Sequence, residues 1–369
     1  MDHFDHIHGG NLTSASIKYG IPKERLIDFS ANINPLGPSR KMISAVVDSL
    51  KYINSYPDPD CRELKSALAS YLNINEEFLV MGNGAAELIY LLVRVIGCKK
   101  ALVAAPTFCE YGLSVLSNGG EIIEILMDEK DGFKLPVEKI INCLPGADML
   151  FLCNPNNPTG RVINRKTIEI ILEEAGHHRV MVVVDEAFMD FIFHKKNFSS
   201  VPLVGNVENI AVLYSMTKFF GIPGLRLGAI AVPSKLAIRM NSSKDPWNVN
   251  ILAQAAGIAG LKDIHYMKET KKLVLDEKKF LFNQLSGIKG INPLPGSANF
   301  LLVDVSGTGF KSFQLTDLLG RNGIMVRDCE GFTGLAGRYI RIAVKTRSEN
   351  EILLEVLKTI LEHSCNEQR

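Results

Sequence analysis

Lys218 stands in YSMTKFFGIPGLRLG, residues 214–228, just beyond an apolar run. Ser215 and Thr217 precede it, and Arg226 follows eight residues later. A lysine amine condenses with an aldehyde to form a Schiff base. Hydroxyls and a guanidinium are suitable donors to a phosphate. The string therefore suits a lysine that holds an aldehyde cofactor by one end while its neighbours hold a phosphate at the other. A lone lysine after a strand is ordinarily a solvated loop residue; the other segments of this chain weigh against that.

Four further segments carry complementary chemistry. VVVDEAF (182–188) puts Asp185 at the end of an apolar strand, where a carboxylate can pair with a protonated pyridine nitrogen and keep the ring an electron sink. A helix N-cap is the structural alternative for that aspartate. NPNNPTG (154–160) is an unusual turn whose Asn157 can donate to a phenolic oxygen. GNGAAE (82–87) is a glycine turn leading into a helix, so the N–H groups near Ala85 and Ala86 can cradle a phosphate. It is not a GxGxxG fingerprint, and there is no GxxxxGK[ST] loop. APTFCEY (105–111) offers Phe108 as a ring to stack on the cofactor, or simply as a core aromatic.

These residues need a scaffold that gathers strand ends. Short apolar runs alternate with helical stretches from residue 41 onward. The strand candidates are Phe78–Met81, Ala101–Ala105, Glu121–Leu126, Met149–Cys153, Val180–Val184, Ile210–Tyr214 and Leu227–Val232. Runs apolar on both faces predict an α/β fold with a mostly parallel sheet covered by helices, its ligands beyond the carboxyl ends of the strands. Helices are expected over 62–72 and about 86–96, and another near residue 41 from the spacing of Met42, Ile43, Val46, Val47 and Leu50. After residue 260 a charged helix (about 261–285) leads to strands near 299–305, 324–329 and 339–345, the pattern of a smaller α+β unit. A capping box, Ser348 with Glu351, is expected to open the last helix, with Ile352, Leu353, Val356, Leu357, Ile360 and Leu361 on its apolar face. Residues 1–38 are polar, turn-rich and hard to place in a core. The expected organisation is an N-terminal arm (1–38) contributing to the small domain and the substrate site, a large cofactor domain (39–258) and a small C-terminal domain (259–369).

Composition excludes several function classes. In 369 residues, 41 basic against 40 acidic side chains leave a net charge of +1, without the concentrated basic surface that nucleic acid requires. The seven cysteines, at 61, 98, 109, 143, 153, 329 and 365, contain no CxxC pair, so no metal site is expected and the thiols read as reduced, in a cytoplasmic protein. The opening MDHFDHIHGG lacks the apolar stretch of a secretory signal, and no run of 18 apolar residues suits a membrane span.

Taken together and in this order, the segments resemble fold-type-I pyridoxal 5'-phosphate (PLP) enzymes, in the branch containing the histidinol-phosphate aminotransferases. The likeness covers essentially the whole chain. It implies Lys218 as the cofactor lysine, Asp185 on the pyridine nitrogen and Asn157 on the phenolic oxygen. It further implies Ala85, Ala86, Ser215, Thr217 and Arg226 around the phosphate, and Phe108 on the ring. Tyr56, in YPDPD, resembles the tyrosine that reaches the neighbouring subunit's cofactor phosphate, which implies a homodimer with shared active sites.

Three features are similar to the threonine-phosphate decarboxylases of cobalamin biosynthesis. HGGN (8–11) followed by DFSANINPLG (28–37) looks like their N-terminus. Phe188 stands where histidinol-phosphate aminotransferases usually carry a tyrosine. Arg327 in MVRDC and Arg341 in YIRIAVK match two substrate arginines. The likeness also makes His8, Gly9 and Asn32 substrate contacts, beside Asn157. Two arginines and a histidine suit a substrate carrying a carboxylate and a phosphate, and which group meets which arginine stays open. Arg341 as a sheet-edge ion pair and His8 as part of a loose arm are the structural alternatives. The implied reaction is decarboxylation of O-phosphothreonine to 1-amino-2-propanol O-phosphate. The competing expectations are amino transfer from histidinol phosphate and decarboxylation of O-phosphoserine. A non-catalytic regulator domain is disfavoured, because no appended DNA-binding segment accompanies the lysine and aspartate.

Overall fold

The computed structural model describes residues 8–367, with side chains as far as residue 363. His3 and His6 lie outside the described residues, as does the Cys365 side chain.

The strands are Ile27–Asp28 (β1), Leu79–Gly82 (β2), Lys100–Ala105 (β3), Glu121–Leu126 (β4), Met149–Cys153 (β5), Met181–Asp185 (β6) and Ile210–Ser215 (β7). Gly228–Ala231 (β8), Asn292–Pro293 (β9), Phe300–Asp304 (β10), Ile324–Met325 (β11), Arg327–Asp328 (β12) and Tyr339–Ala343 (β13) complete the set. Seven of them form one sheet in the order β2-β8-β7-β6-β5-β3-β4, in which only β8 runs antiparallel to its neighbours. All seven expected runs are strands of this sheet, each within two residues at its ends.

β5, β6 and β7 read as near-continuous apolar runs because both of their faces are covered. Val103, Phe151, Val183 and Leu213 pack with Leu88, Leu92 and Tyr111 on one side. Leu102, Leu150, Val182 and Val212 pack with Ile168, Ile171, Leu64 and Leu68 on the other. Helix Ala85–Ile96, one of those on the first face, is closed at both ends by positive-φ glycines, Gly84 (φ 83°) and Gly97 (φ 75°).

A second, antiparallel sheet has the order β12-β13-β10-β9. Its core is Leu301, Val303, Ile340 and Ile342 packed against Leu281 and Leu285 of helix Ile264–Ser286, Leu315 and Leu319, and Leu353 and Leu357 of helix Arg347–Glu367.

Two expectations are corrected, and a third, the helix near residue 41, is met with most of its apolar face left exposed. The lead-in is not a loop-rich arm where it is described: Leu12–Tyr19 is helical, β1 pairs in parallel with β11, and Phe29 is fully buried in the second core. Its partners lie some 300 positions away, so no local period reveals them. The last helix is capped two residues earlier than expected, since the Thr346 N–H donates to Glu349 Oε2 (3.0 Å) ahead of a helix starting at Arg347. Of its expected apolar face, Leu353 and Leu357 are buried, Ile352 is exposed, and Leu354 joins the core instead. The helix near residue 41 spans Arg40–Ser49, but only Met42 is buried; Ile43, Val47 and Leu50 are exposed. No helix among the described residues is long and apolar enough to cross a membrane.

Candidate active site

The carboxyl ends of β5, β6 and β7 open into one cavity of about 730 Å³. Its wall includes Lys218, Asp185, Asn157, Phe108, Ala85, Ala86, Ser215, Thr217 and Arg226, together with His8, Gly9, Asn32, Phe188, Arg327 and Arg341. The structure thus gathers every residue singled out from sequence except Tyr56. That tyrosine is 78 % exposed and stacks on Trp247 (4.3 Å between centroids), outside this cavity.

Local chemistry explains several placements. In NPNNPTG, Asn154 exchanges hydrogen bonds with the backbone of Ile163, its Oδ1 accepting from the N–H (2.8 Å). Asn156 donates to the Pro106 carbonyl (3.0 Å) and accepts from Thr107 (2.8 Å). Two asparagines therefore lace the turn, and the third faces the cavity. Its Oδ1 accepts from Arg341 Nη1 (2.5 Å), which turns the amide –NH₂ toward the cavity as a donor.

At the opposite wall, Arg226 adopts a left-handed backbone (φ 58°) and lays its guanidinium over Gly84. A Cβ on Gly84 would lie 2.6 Å from Arg226 Nη2, and one on Gly228 would lie 2.5 Å from the Ala85 nitrogen. Both glycines are therefore needed for the close approach of guanidinium, helix start and strand β8. Ser215 Oγ and Thr217 Oγ1 meet at 2.8 Å beside this cradle.

The electrostatics are those of a site made for anions. Four cationic side chains (Lys218, Arg226, Arg327, Arg341) and three carboxylates (Asp28, Glu110, Asp185) line the cavity. The carboxylates are engaged by protein donors. Asp28 accepts from the N–H and hydroxyl of Ser30 (2.8 and 2.6 Å), and Glu110 from Tyr90 (2.8 Å). Asp185 accepts from the Tyr111 hydroxyl (2.7 Å) and the Ala187 N–H (2.9 Å). By contrast, Arg226 forms no ion pair among the described residues, and Arg341 Nε is buried without an acceptor. Burial, then the charges of Arg341 and Arg226, pushes the Lys218 ammonium down to about 8, with Asp185 pulling the other way. Burial pushes the Asp185 carboxyl up against its hydrogen bonds and the Lys218 charge. Burial also lowers Arg341 to about 10.

Three contributors escaped the sequence reading. Tyr111 stacks on Phe151 (5.1 Å) and holds Asp185; its position at the end of the quoted APTFCEY was the available signal. Ser30, whose carbonyl accepts from Arg341 Nη2 (2.6 Å), sits in the segment read as a lead-in. Glu110 accepts from or shares a proton with His8 Nε2 at 2.7 Å. The Cys109 sulfur is within 4.8 Å of both, donor types that suit a soft cation, but the 2.7 Å contact is a closed hydrogen bond. The described cysteines are free thiols.

Residues 24–357 match the family described as aminotransferase class I and II, and the chain belongs to that family. Its cofactor is PLP, held in a fold-type-I scaffold. Among its relatives is threonine-phosphate decarboxylase of Salmonella typhimurium, 36% identical over 360 residues that cover 97% of each chain. The adenosylcobalamin biosynthesis bifunctional protein CobDQ of Leptospira interrogans is 32% identical, across 96% of this chain and 41% of its own length. The solved histidinol-phosphate aminotransferase of Clostridium acetobutylicum superimposes with a TM-score of 0.86 at 30% identity, covering 92% of this chain and 100% of that one.

Proposed function

We propose that the protein decarboxylates O-phosphothreonine to 1-amino-2-propanol O-phosphate for cobalamin biosynthesis, as a cytoplasmic homodimer. The observation that carries this reading is the opposed pair Arg327 and Arg341, in the same cavity wall as Lys218 and with a buried guanidinium nitrogen awaiting an acceptor. A substrate with a carboxylate and a phosphate supplies anions for both arginines. The names of the Salmonella and Leptospira relatives support the reaction and its setting.

The residues present fit the cofactor. The N–H groups of Ala85 and Ala86, the hydroxyls of Ser215 and Thr217 and the Arg226 guanidinium form a phosphate cradle. Among the described residues no cation contacts the buried Asp185 directly, and a protonated pyridine nitrogen would provide one. Asn157 offers an amide donor for the phenolic oxygen, and Phe108 a ring face. PLP, when bound, supplies an electron sink for the pair left at Cα when its bond to the carboxylate breaks.

This chain's own groups do the rest. Lys218, whose burial favours the neutral amine, attaches the cofactor and yields to the substrate amine. Arg327, Arg341, His8, the Gly9 backbone and Asn32 orient the substrate through its anionic ends. Phe188, buried and edge-to-face with Phe300 (5.1 Å), offers no hydroxyl for competing proton transfers. Carbon dioxide leaves, and Lys218 Nζ delivers the proton that replaces it at Cα. Tyr56 serves the neighbouring subunit from the surface that also exposes Ile43, Val47, Leu50 and Ile53.

The test is stoichiometric. The expected result is one carbon dioxide per O-phosphothreonine consumed, with no 2-oxo acid required. Amino transfer to 2-oxoglutarate without carbon dioxide would overturn the reading in favour of a histidinol-phosphate aminotransferase, the activity named for the Clostridium structure. O-Phosphoserine differs by one methyl, a discrimination worth roughly 1–3 kcal/mol, so both phospho-amino acids belong in the assay, with ethanolamine phosphate as the second product.

A further inference from the structure

An anion-binding pocket gains nothing from a bare carboxylate, yet Glu110 lies in this one at 5 % exposure. It has a definite seat. Glu110 occupies the first turn of helix Glu110–Ser117, where the helix dipole favours negative charge. Its Oε2 accepts from the Tyr90 hydroxyl (2.8 Å), on the neighbouring helix Ala85–Ile96. Burial, reinforced by that hydrogen bond and the Glu110 charge, holds the Tyr90 phenol protonated, well above its usual range. The other oxygen, Oε1, meets His8 Nε2 at 2.7 Å.

His8 arrives from a different part of the fold. Its ring lies against Phe108 (5.7 Å between centroids), and its side chain is 44 % exposed. The chain just after it is pressed onto the segment that meets Arg341. The Gly10 N–H donates to Ser30 Oγ (2.8 Å), and a Cβ on Gly9 would lie 2.2 Å from the Ser30 carbonyl oxygen. Tyr90, Glu110 and His8 thus form a relay of contacts from the cofactor-side helix to the N-terminal segment.

We propose that Glu110, seated by Tyr90, is a positioning residue that latches His8 into the cavity wall, so that the imidazole presents a donor to the substrate's anionic group. Its hydrogen bond orders an exposed side chain before substrate arrives. Tyr90 serves Glu110 alone and does not touch the substrate. The role of His8 rests on the proposed function; the latch itself does not.

The experiment uses the holoenzyme with Glu110→Gln, Tyr90→Phe, His8→Ala and the Glu110→Gln/His8→Ala double variant. It reads KM and kcat for O-phosphothreonine, and amide hydrogen exchange over residues 9–12 without substrate. Glu110→Gln is expected to raise KM about tenfold, the loss of one charge-assisted hydrogen bond, with kcat within about twofold of wild type. His8→Ala should do the same, and the double variant should be no worse than His8→Ala. Tyr90→Phe, which leaves the His8–Glu110 hydrogen bond in place, should move KM in the same direction by less. Exchange over 9–12 should speed up about tenfold in Glu110→Gln, since an opened contact of that strength exposes the amides. Unchanged exchange and KM in Glu110→Gln would overturn the latch, as would a Glu110→Gln penalty undiminished in the His8→Ala background. A wild type that releases no carbon dioxide defeats the functional proposal alone, because the exchange measurement still decides the latch.

Discussion

Arg327 and Arg341 are direct cross-strand partners on β12 and β13. Like charges placed opposite each other in an antiparallel pair oppose folding, and here one of the two is buried. Each guanidinium is set over a ring, Arg327 over Phe332 and Arg341 over Phe300, both at 5.5 Å. The rings hold the cations in place without neutralising them, and Arg341 Nε, buried without an acceptor among the described residues, is open to an anionic ligand.

Anion binding should therefore stabilise the protein measurably. O-Phosphothreonine at about 100 times its Kd is expected to add about 2.7 kcal/mol of stability, seen as a higher Tm. Arg327→Gln and Arg341→Gln should each remove most of that shift. Retention of the full shift in both variants would show that the pair does not hold the ligand.

Lys218 gives the cofactor-free protein a pH signature. Burial holds its amine down at about 8, against 10.5 for an exposed lysine. Below pH 8 the lysine is protonated folded and unfolded, so its burial penalty is constant. Between 8 and 10.5 only the unfolded chain holds the proton, so stability rises with pH, by on the order of 3 kcal/mol in all. Thermal unfolding of wild type against Lys218→Met should show this gain in wild type and not in the variant. Decarboxylation by Lys218→Met should fall by at least about a thousandfold, given the span of acid–base catalysis.

Tyr111→Phe removes a hydroxyl that donates to Asp185 at 2.7 Å without reaching the cavity's substrate side. A hydrogen bond to a charged group contributes about 1.5–3 kcal/mol. With Asp185 less able to stay ionised, turnover is expected to drop roughly 10- to 100-fold, with KM for O-phosphothreonine little changed. Equal loss in kcat and rise in KM would place Tyr111 in substrate binding instead.

Gly9→Ala tests the packing of the N-terminal segment. The added methyl meets the Ser30 carbonyl carbon and oxygen at 2.6 and 2.2 Å, a backbone contact that cannot give way like a flexible side chain. Displacing Ser30 also disturbs the carbonyl that accepts from Arg341. KM should rise by about tenfold or more, following the few kcal/mol that overpacking costs, while cofactor absorbance stays at the wild-type level. A wild-type KM would show that the segment relaxes freely.

The legible parts of the sequence were those with a short-range signal. The seven runs of the large sheet and the lysine, aspartate and asparagine segments at their ends announce themselves by apolar continuity and turn chemistry. The contacts of residues 8–38 did not. Phe29 is an isolated aromatic among polar neighbours, yet it is fully buried because β11 and β13 bond to its backbone from the far end of the chain. At Arg40–Ser49 the helical spacing announces the helix, but spacing alone does not say whether the cover of its exposed apolar face belongs to the same chain. Tyr111 and Glu110 were written in a segment already singled out, and only packing shows that one props the aspartate and the other the histidine.

The backbone between Phe29 and Asn34 has a metrical consequence. The Phe29 carbonyl accepts from Ala343, the Ser30 carbonyl from Arg341, the Asn32 carbonyl from Asn299, and the Asn34 N–H donates to the Lys218 carbonyl (3.0 Å). Asn34 is further pinned through its amide to Phe219, Tyr266 and Thr270, each at 2.8 Å. One short stretch of chain is thus a caliper, with one jaw on the guanidinium and the other on the turn that carries the lysine. Its gauge is a whole number of residues. Lengthening or shortening it by one would reset the gap in a step of up to about 3.3–3.6 Å, the width of a methylene or two on a bound molecule.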